Sequence, residues 1–180
     1  MFPEVARAGS SIESYPAQTT VDGITIAVDP HFSDEKSYAV FNVRDLNSRG
    51  YFPLRVIISN STGKYLKLHT RNAFLITASK TNIYTVPAVM IEKDLFSQNL
   101  GGRKSRQEPP PNDFAARELV MQSIEPRSVV EGFLFFSLPE TQKDYFRGSS
   151  LHIPGIEEEG TRKAFGPFII ELDPALSLSE

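Results

Sequence analysis

The 180-residue chain has no cysteine, no tryptophan and only three histidines. Without cysteine there are no disulfides, no thiolate nucleophiles and no thiolate metal ligands. No apolar run approaches the ~20 residues that a membrane-spanning helix needs. The N-terminal stretch MFPEVARAGSSIESYP lacks the apolar core of ~7–15 residues that a secretory signal contains. We therefore expect either a protein that is not exported, and is cytoplasmic, or a periplasmic, secreted or lipid-anchored protein whose chain begins after a removed signal.

An excess of charge of one sign is also lacking, because the net charge is only −3. Such a chain has no electrostatic attraction for nucleic acid, so we expect no nucleic-acid partner. The hydrophobic fraction of 40%, with 13 phenylalanines and 6 tyrosines, is enough to fill the core of one domain. We predict a flexible leader over residues 1–17, a single domain over 18–174 and a tail over 175–180.

Apolar and polar residues alternate with a period of two along much of the chain, and this pattern predicts strands. In VDGITIAVDP it places Ile24, Ile26 and Val28 on one face. In YFPLRVIISN it points four alternate residues inward, from Phe52 to Ile58. Pro53 has no N–H for a ladder, so we expect that strand to begin at an edge or before pairing starts.

The following segment YLKLHTRNAFLITAS predicts either one long or bent strand or two short strands with a break near Arg71-Asn72. KTNIYTVPAV then indicates a returning strand of a hairpin. ARELVMQSIEPRSVVEGFLFFSLPE is typical of strand, turn and strand, and SSLHIPGIEEEGTRKAFGPFIIELDP of a last pair of strands with Phe168, Ile170 and Leu172 on one face.

Helical signals are few. Ser33 followed by Asp34 and Glu35 is typical of a helix start, because a serine caps the first turn and acidic residues favour it. MIEKDLF predicts a single helical turn. The stretch over 97–113 combines Gly-Gly with Pro109-Pro110-Pro111, and we expect a long mobile loop there.

Short strands with little helix predict an all-β fold, an antiparallel immunoglobulin-like β-sandwich with a barrel as the main alternative. The stretch EGFLFFSLPE is apolar on both faces, which is typical of a strand covered on both sides. We therefore predict that Phe133, Phe135 and Phe136 belong to the core and do not form an exposed ligand surface.

The run SIEPRSVVEGFLFFSLPE resembles the final strands of bacterial immunoglobulin-like envelope domains, the family that includes the immunoprotective extracellular protein of mycobacteria. SYPAQTTVDGITIAVDPHFSDEKSYAVF and FPLRVIISNSTGKYLKLHTRNAFLI are similar to the opening half of an uncharacterised bacterial family of the same kind. The resemblance covers most of residues 14–172. It implies an immunoglobulin-like sandwich, often exported or lipid-anchored, with no established activity and no catalytic residues to transfer.

Residues that could carry chemistry are sparse, and none follows a catalytic or metal-binding motif. Asp29, His31, Asp34 and Glu35 would suit a divalent cation, but a turn followed by a helix cap explains them better. His69 is expected to face solvent, and the run from Glu157 to Glu159 to form a solvated acidic turn. Asn60 in Asn-Ser-Thr matches a glycosylation acceptor. We expect no cofactor and no bound metal.

Three functions remain open. The first is a non-enzymatic protein-interaction module at the bacterial cell envelope, with contacts to an unknown protein partner through Met90, Phe96, Arg103, Lys104 and Arg106. The second is a small-molecule or glycan-binding module that uses tyrosines, namely Tyr15, Tyr38, Tyr51, Tyr65, Tyr84 and Tyr145. The third is a hydrolase or metal-dependent enzyme, which would need a histidine beside a carboxylate or a serine. The oligomeric state is left open.

Overall fold

The computed structural model describes residues 11–97, 114–138 and 145–176, apart from the side chains of residues 96–97. The strands are β1 (Ala17–Val21), β2 (Ile24–Pro30), β3 (Tyr51–Asn60), β4 (Leu66–Leu68), β5 (Phe74–Ile76), β6 (Asn82–Tyr84), β7 (Gln122–Ile124), β8 (Ser128–Ser137), β9 (Ser150–Ile153), β10 (Ile156–Glu158), β11 (Ala164–Phe165) and β12 (Phe168–Glu171). The helices are a 3-10 turn (Ile12–Ser14), α1 (Asp34–Phe41), α2 (Ala88–Ser97), α3 (Phe114–Arg117) and α4 (Asp173–Leu176).

The strands form three antiparallel sheets. The main sheet has the order β1-β2-β3-β8, the first small sheet β11-β10-β4-β7 and the second small sheet β12-β9-β5-β6. Three stretches of chain, over 66–76, 150–158 and 164–171, each contribute one strand to both small sheets. The two small sheets are thus consecutive parts of one interrupted layer, and the predicted all-β class is confirmed.

One face of the main sheet packs against both small sheets, and this contact is the main core. The alternating residues Ile24, Ile26 and Val28 lie there as predicted, as do the four from Phe52 to Ile58. Residues of the closing strands, Phe168, Ile170 and Leu172, share the same core. Alternation of apolar side chains therefore identified the inward faces correctly.

The other face of the main sheet carries a second core, formed with α1, α2 and α3. We call it the helix core; its buried members are Phe41, Leu46, Ala88, Ile91, Leu95, Phe114, Phe133 and Phe135. Leu134, Phe136 and Leu138, the alternate residues of the same stretch, face the main core. Residues 133–136 of β8 are thus covered on both faces, which confirms the core prediction for its phenylalanines.

Three local predictions were right. The serine at position 33 caps α1, since its side chain accepts a hydrogen bond from Lys36 N. The stretch after β3 forms two short strands, β4 and β5, with a turn at Arg71-Asn72, and β5 and β6 form the expected hairpin.

Three local predictions need correction. MIEKDLF is part of a ten-residue helix, α2, because Ala88, Ile91 and Leu95 recur at helical spacing and bury one side. The last pair of strands is four strands, interrupted at Pro154-Gly155 and Gly166-Pro167. β3 already pairs with β8 from Tyr51, whereas its pairing with β2 begins at Leu54, so Pro53 precedes only the β2 ladder.

The outer edge of β8 is partly covered by two other segments. Residue 86 follows β6, and Val86 N donates to Phe135 O at 2.8 Å. Residue 119 follows α3, and Leu119 N donates to Phe133 O at 2.8 Å. The segment over 82–86 therefore pairs first with β5 and then with β8, and it connects the second small sheet to the main sheet.

No helix within the described ranges has the length and apolar character needed to cross a membrane.

Candidate functional site

The cluster around His31 is a structural ion-pair network. Its Nε2 donates to Asp29 Oδ2 at 3.2 Å, and its Nδ1 lies 3.4 Å from the carbonyl oxygen of Lys36. Lys36 Nζ donates to Asp29 Oδ1 at 2.5 Å and to the carbonyl of Pro30. The imidazole edge packs against the ring of Phe133. Both ring nitrogens face oxygen atoms of the protein itself and the ring is buried, so neither nitrogen is directed at a position that a substrate could reach.

Asp29 is held as a carboxylate by its neighbours. Burial alone would raise the pKa of its carboxyl, but the hydrogen bonds from His31 and Lys36 and their charges outweigh burial and lower the pKa to about 2. A pKa below the ordinary value of 3.8 means that the ionised form stabilises the folded state. That contribution is complete above the ordinary pKa and is lost as the pH falls towards 2.

Replacing Asp29 by asparagine should lower the free energy of unfolding at pH 7 by about 1–2 kcal/mol, a range that allows for solvent screening at a partly exposed carboxylate. The loss should shrink as the pH falls from 4 to 2, where the wild-type carboxyl is itself protonated. Urea unfolding at a series of pH values measures it. Asp45→Asn, which breaks only the exposed pair with Arg49, is the control; an equal pH-dependent loss there would contradict the interpretation.

The other two histidines have one polar side-chain contact each. His69 Nε2 lies 3.3 Å from Glu157 Oε2. His152 Nε2 lies 2.9 Å from Ser150 Oγ on the same strand, and its ring stacks on Phe74. Burial lowers the pKa of His152. Within the described part of the chain no carboxylate contacts this serine–histidine pair, so the third member of a triad is missing from it.

The acidic residues considered as metal ligands make hydrogen bonds and ion pairs within the fold. Asp34 Oδ1 accepts from the backbone N–H groups of Asn47 and Ser48, which fastens the end of the α1–β3 connection to the helix start. Glu157 and Glu158 lie in β10 and not in the predicted turn, and Glu158 pairs with Lys64 at 2.9 Å. Over the described ranges, no group of three or more His, Asp or Glu side chains could hold a metal ion.

The Asn60 side chain is not available as a glycosylation acceptor, because it is buried and all its polar atoms are used. Its Nδ2 donates to the carbonyl oxygens of Lys64 at 2.8 Å and Glu125 at 3.0 Å. Its Oδ1 accepts from the backbone N–H and the hydroxyl of Thr62. The residue links the turn after β3 to the turn before β8.

The described tyrosines are distributed over separate elements. Tyr38 lies on α1, Tyr65 before β4 and Tyr84 on β6. The hydroxyl of Tyr51 donates to Asp94 Oδ2 at 2.6 Å, and burial together with this bond raises its pKa to about 12. No ring contact joins two tyrosines among the described residues. This arrangement gives no support to glycan binding by tyrosines.

A group of exposed apolar side chains lies beside the covered part of the β8 edge. Two segments touch that edge, one through Val86 and one through Leu119. Helix α2 begins two residues after Val86, and residues 120 and 121 follow directly after Leu119. Ala88 N donates to Glu118 Oε1 at 3.2 Å, which ties the two segments together. We call four residues of these segments, each between 50% and 63% exposed, the apolar strip: Val89, Met90, Val120 and Met121.

Of the predicted contact residues, Met90 belongs to the apolar strip. Phe96 lies in α2, and its side chain is outside the described set. Arg103, Lys104 and Arg106 lie outside the described residues. Val120 and Met121 were missed, because the sequence predicted them inside a strand, ARELVMQSI. In the structure α3 ends at Arg117 and β7 begins only at Gln122, so both residues lie in the connection between them.

No family model and no curated protein matches the chain. Two solved structures from Bacillus subtilis resemble it. The ycdA protein, described as a "putative lipoprotein", is 16% identical with a TM-score of 0.45 over 88% of this chain and 39% of its own, so this chain spans about two fifths of that protein. The yjhA protein is 10% identical with a TM-score of 0.41 over 77% of this chain and 78% of its own. TM-scores below 0.5 carry no argument about function.

Proposed function

We propose that this chain is a non-enzymatic protein-binding module and that the apolar strip is its contact surface. The observation that supports this is the exposure of Val89 and Met90 on α2 and of Val120 and Met121 after α3, while the opposite side of α2 is buried in the helix core. The hydrogen bond between Ala88 N and Glu118 Oε1 joins the two segments. Large contiguous apolar patches are uncommon on monomeric proteins and often mark interaction sites. Methionine and valine side chains suit an apolar protein surface.

The finer parts of the proposal concern fold and location. We propose that the two layers are a variant of the immunoglobulin-like sandwich and that the protein works at a bacterial cell envelope. The resemblance of SIEPRSVVEGFLFFSLPE to envelope domains supports both statements. The basic residues Arg103, Lys104 and Arg106 remain proposed partner contacts; in the sequence they lie between the two segments of the strip.

Photo-crosslinking in the source cells tests the contact surface. A photoreactive residue placed at Met90 or Met121 should give one discrete adduct of higher mass, because a bound partner stays within reach of the probe. The same residue at Tyr38 or Tyr65, both exposed but on other elements, should give none. A Val89→Lys, Val120→Lys variant should lose the adduct without a change in melting temperature.

Two results would contradict the proposal: no adduct from either strip position, or an equal adduct from Tyr38. A triple replacement of Arg103, Lys104 and Arg106 by serine separates the basic residues from the strip. An unchanged adduct in that variant removes them from the interface.

A further inference from the structure

Among the described residues, the first part of β8, over 128–131, is an edge of the main sheet with no neighbouring strand on the side away from β3. Backbone groups alternate in direction along a strand, and the N–H and C=O groups of alternate residues point to the same side. Phe133 O and Phe135 O point away from β3, because they accept from Leu119 N and Val86 N. Val129 and Glu131 have the same parity, so their backbone groups also point away from β3.

These outward groups have no partner among the described residues. β-branched Val129 and Val130 favour an extended strand, and Val129 is 59% exposed. Edge strands are usually protected by lysine, proline or a bulge. SVVE has no lysine or proline and pairs with β3 without a register shift. The charged side chain of this edge, Glu131, is already paired with Arg55 of β3 at 2.6 Å. The edge therefore keeps open backbone groups beside the exposed Val129, which makes it a template for another strand.

We propose that this edge pairs antiparallel with the same edge of a second copy of the chain, around a two-fold axis at Val129. Val129 of each copy would then lie opposite Val129 of the other, and the two residues would exchange two backbone hydrogen bonds. The turn at Arg127 of one copy would lie near Glu131 of the other, so Arg127 would add a second positive charge to a carboxylate that already pairs with Arg55 of its own chain.

The residues on either side of this edge favour the register with the axis at Val129. An axis at Glu131 would place two glutamates opposite each other, and the second strand would meet Leu119, which already occupies the edge at Phe133. With the axis at Val129, Ser128 of one copy lies opposite Val130 of the other. The pairing stops there, because the turn at Pro126 and Arg127 leads each chain away before Ser128. Each copy then stops short of the covered part of the edge.

This contact is separate from the apolar strip, which lies at the other end of the β8 edge. The pairing therefore does not depend on the proposed function, and a monomeric variant should still give the crosslinked adduct at Met121.

The absence of cysteine from the chain allows a direct test. Residues opposite each other in a hydrogen-bonded pair have Cα atoms about 5.5 Å apart, which is within the ~4.4–6.8 Å that a disulfide needs. Under mild oxidation Val129→Cys should form a disulfide-linked dimer at least about tenfold faster than Ile169→Cys. Ile169 is a matched control, because it is 49% exposed and also lies on an edge strand, β12.

A second pair of variants tests the backbone bonds. Val129→Pro removes the outward N–H at an edge position, where proline is tolerated, and should lower the dimer fraction in sedimentation experiments. Val129→Thr keeps that N–H and the β-branched shape and should retain the dimer. Equal crosslinking rates for the two cysteine variants would overturn the proposal. So would a protein that stays monomeric while a photoreactive residue at 129 captures a different protein, because the edge would then take a foreign strand.

Discussion

Replacing Phe135 by alanine should lower the free energy of unfolding by about 3–5 kcal/mol, the usual range for a buried phenylalanine. The ring is 1% exposed and contacts the rings of Phe41 and Phe114, at centroid distances of 5.6 and 5.8 Å. Helices α1 and α3 meet strand β8 at this ring, so the cavity left by alanine cannot collapse without moving a whole element. Urea unfolding monitored by circular dichroism measures the loss.

A double-mutant cycle distinguishes the two cores. Phe135 and Phe41 share the helix core, so their alanine variants should show a coupling energy of about 0.5–1.5 kcal/mol. Phe136 is equally buried but faces the main core, so its coupling to Phe41 should be near zero. Equal coupling for the two pairs would mean that β8 does not separate two cores. Tyr84→Ala, at an exposed position, is the control for general effects of removing an aromatic ring.

Replacing Asn60 by aspartate should lower the free energy of unfolding at pH 7 by at least about 3 kcal/mol, although the shape of the side chain barely changes. The amide donates to two backbone carbonyl oxygens, and a carboxylate would present a buried negative charge to the same two acceptors. The loss should diminish at acidic pH, because only the protonated carboxyl has an O–H to donate. Thermal and urea unfolding between pH 4 and pH 8 measure it.

Asn82→Asp is the matched control, since Asn82 is exposed on β6. It should change the stability by less than about 0.5 kcal/mol. If Asn60→Asp is equally mild, then the amide of Asn60 does not link the two turns in solution. Asn60→Ala should lie between the two, because it leaves the carbonyl groups without a donor but adds no charge.

The features that could be predicted from the sequence are those set by local periodicity. Ile24 to Val28 and Phe168 to Leu172 alternate cleanly and therefore reveal their buried faces. Ser33 caps a helix by a contact only three residues long. Burial of both faces of β8 at Phe133–Phe136 could be predicted, because successive apolar residues point to opposite faces of a strand and both faces must then be covered.

The features that were missed depend on contacts between distant segments. β1, with the sequence AQTTV, has mainly polar side chains, and its place in the sheet depends on its ladder with β2. The closing strands are interrupted because the chain passes from one small sheet to the other at Pro154-Gly155. In the sequence, Asn60 has the pattern of a surface glycosylation site. In the structure its side chain is held in the interior by a hydrogen bond to the carbonyl oxygen of Glu125, which is 65 residues away.

The same limit applies to the candidate site. Met90 was identified because it stands in an apolar run beside a predicted loop. Val120 and Met121 could not be identified, because their exposure depends on how Leu119 joins the β8 edge. The free edge at Val129 is likewise a property of which strands pair, and the sequence does not state which edge of β8 stays open.

The segment over 82–86 belongs to both layers of the molecule, since main-chain bonds join it to β5 on one side and to β8 on the other. At the opposite side β1 lies against β12 with no strand ladder between them in the described chain. Transient separation of the two layers should therefore begin at the β1–β12 side, with the 82–86 segment acting as the hinge.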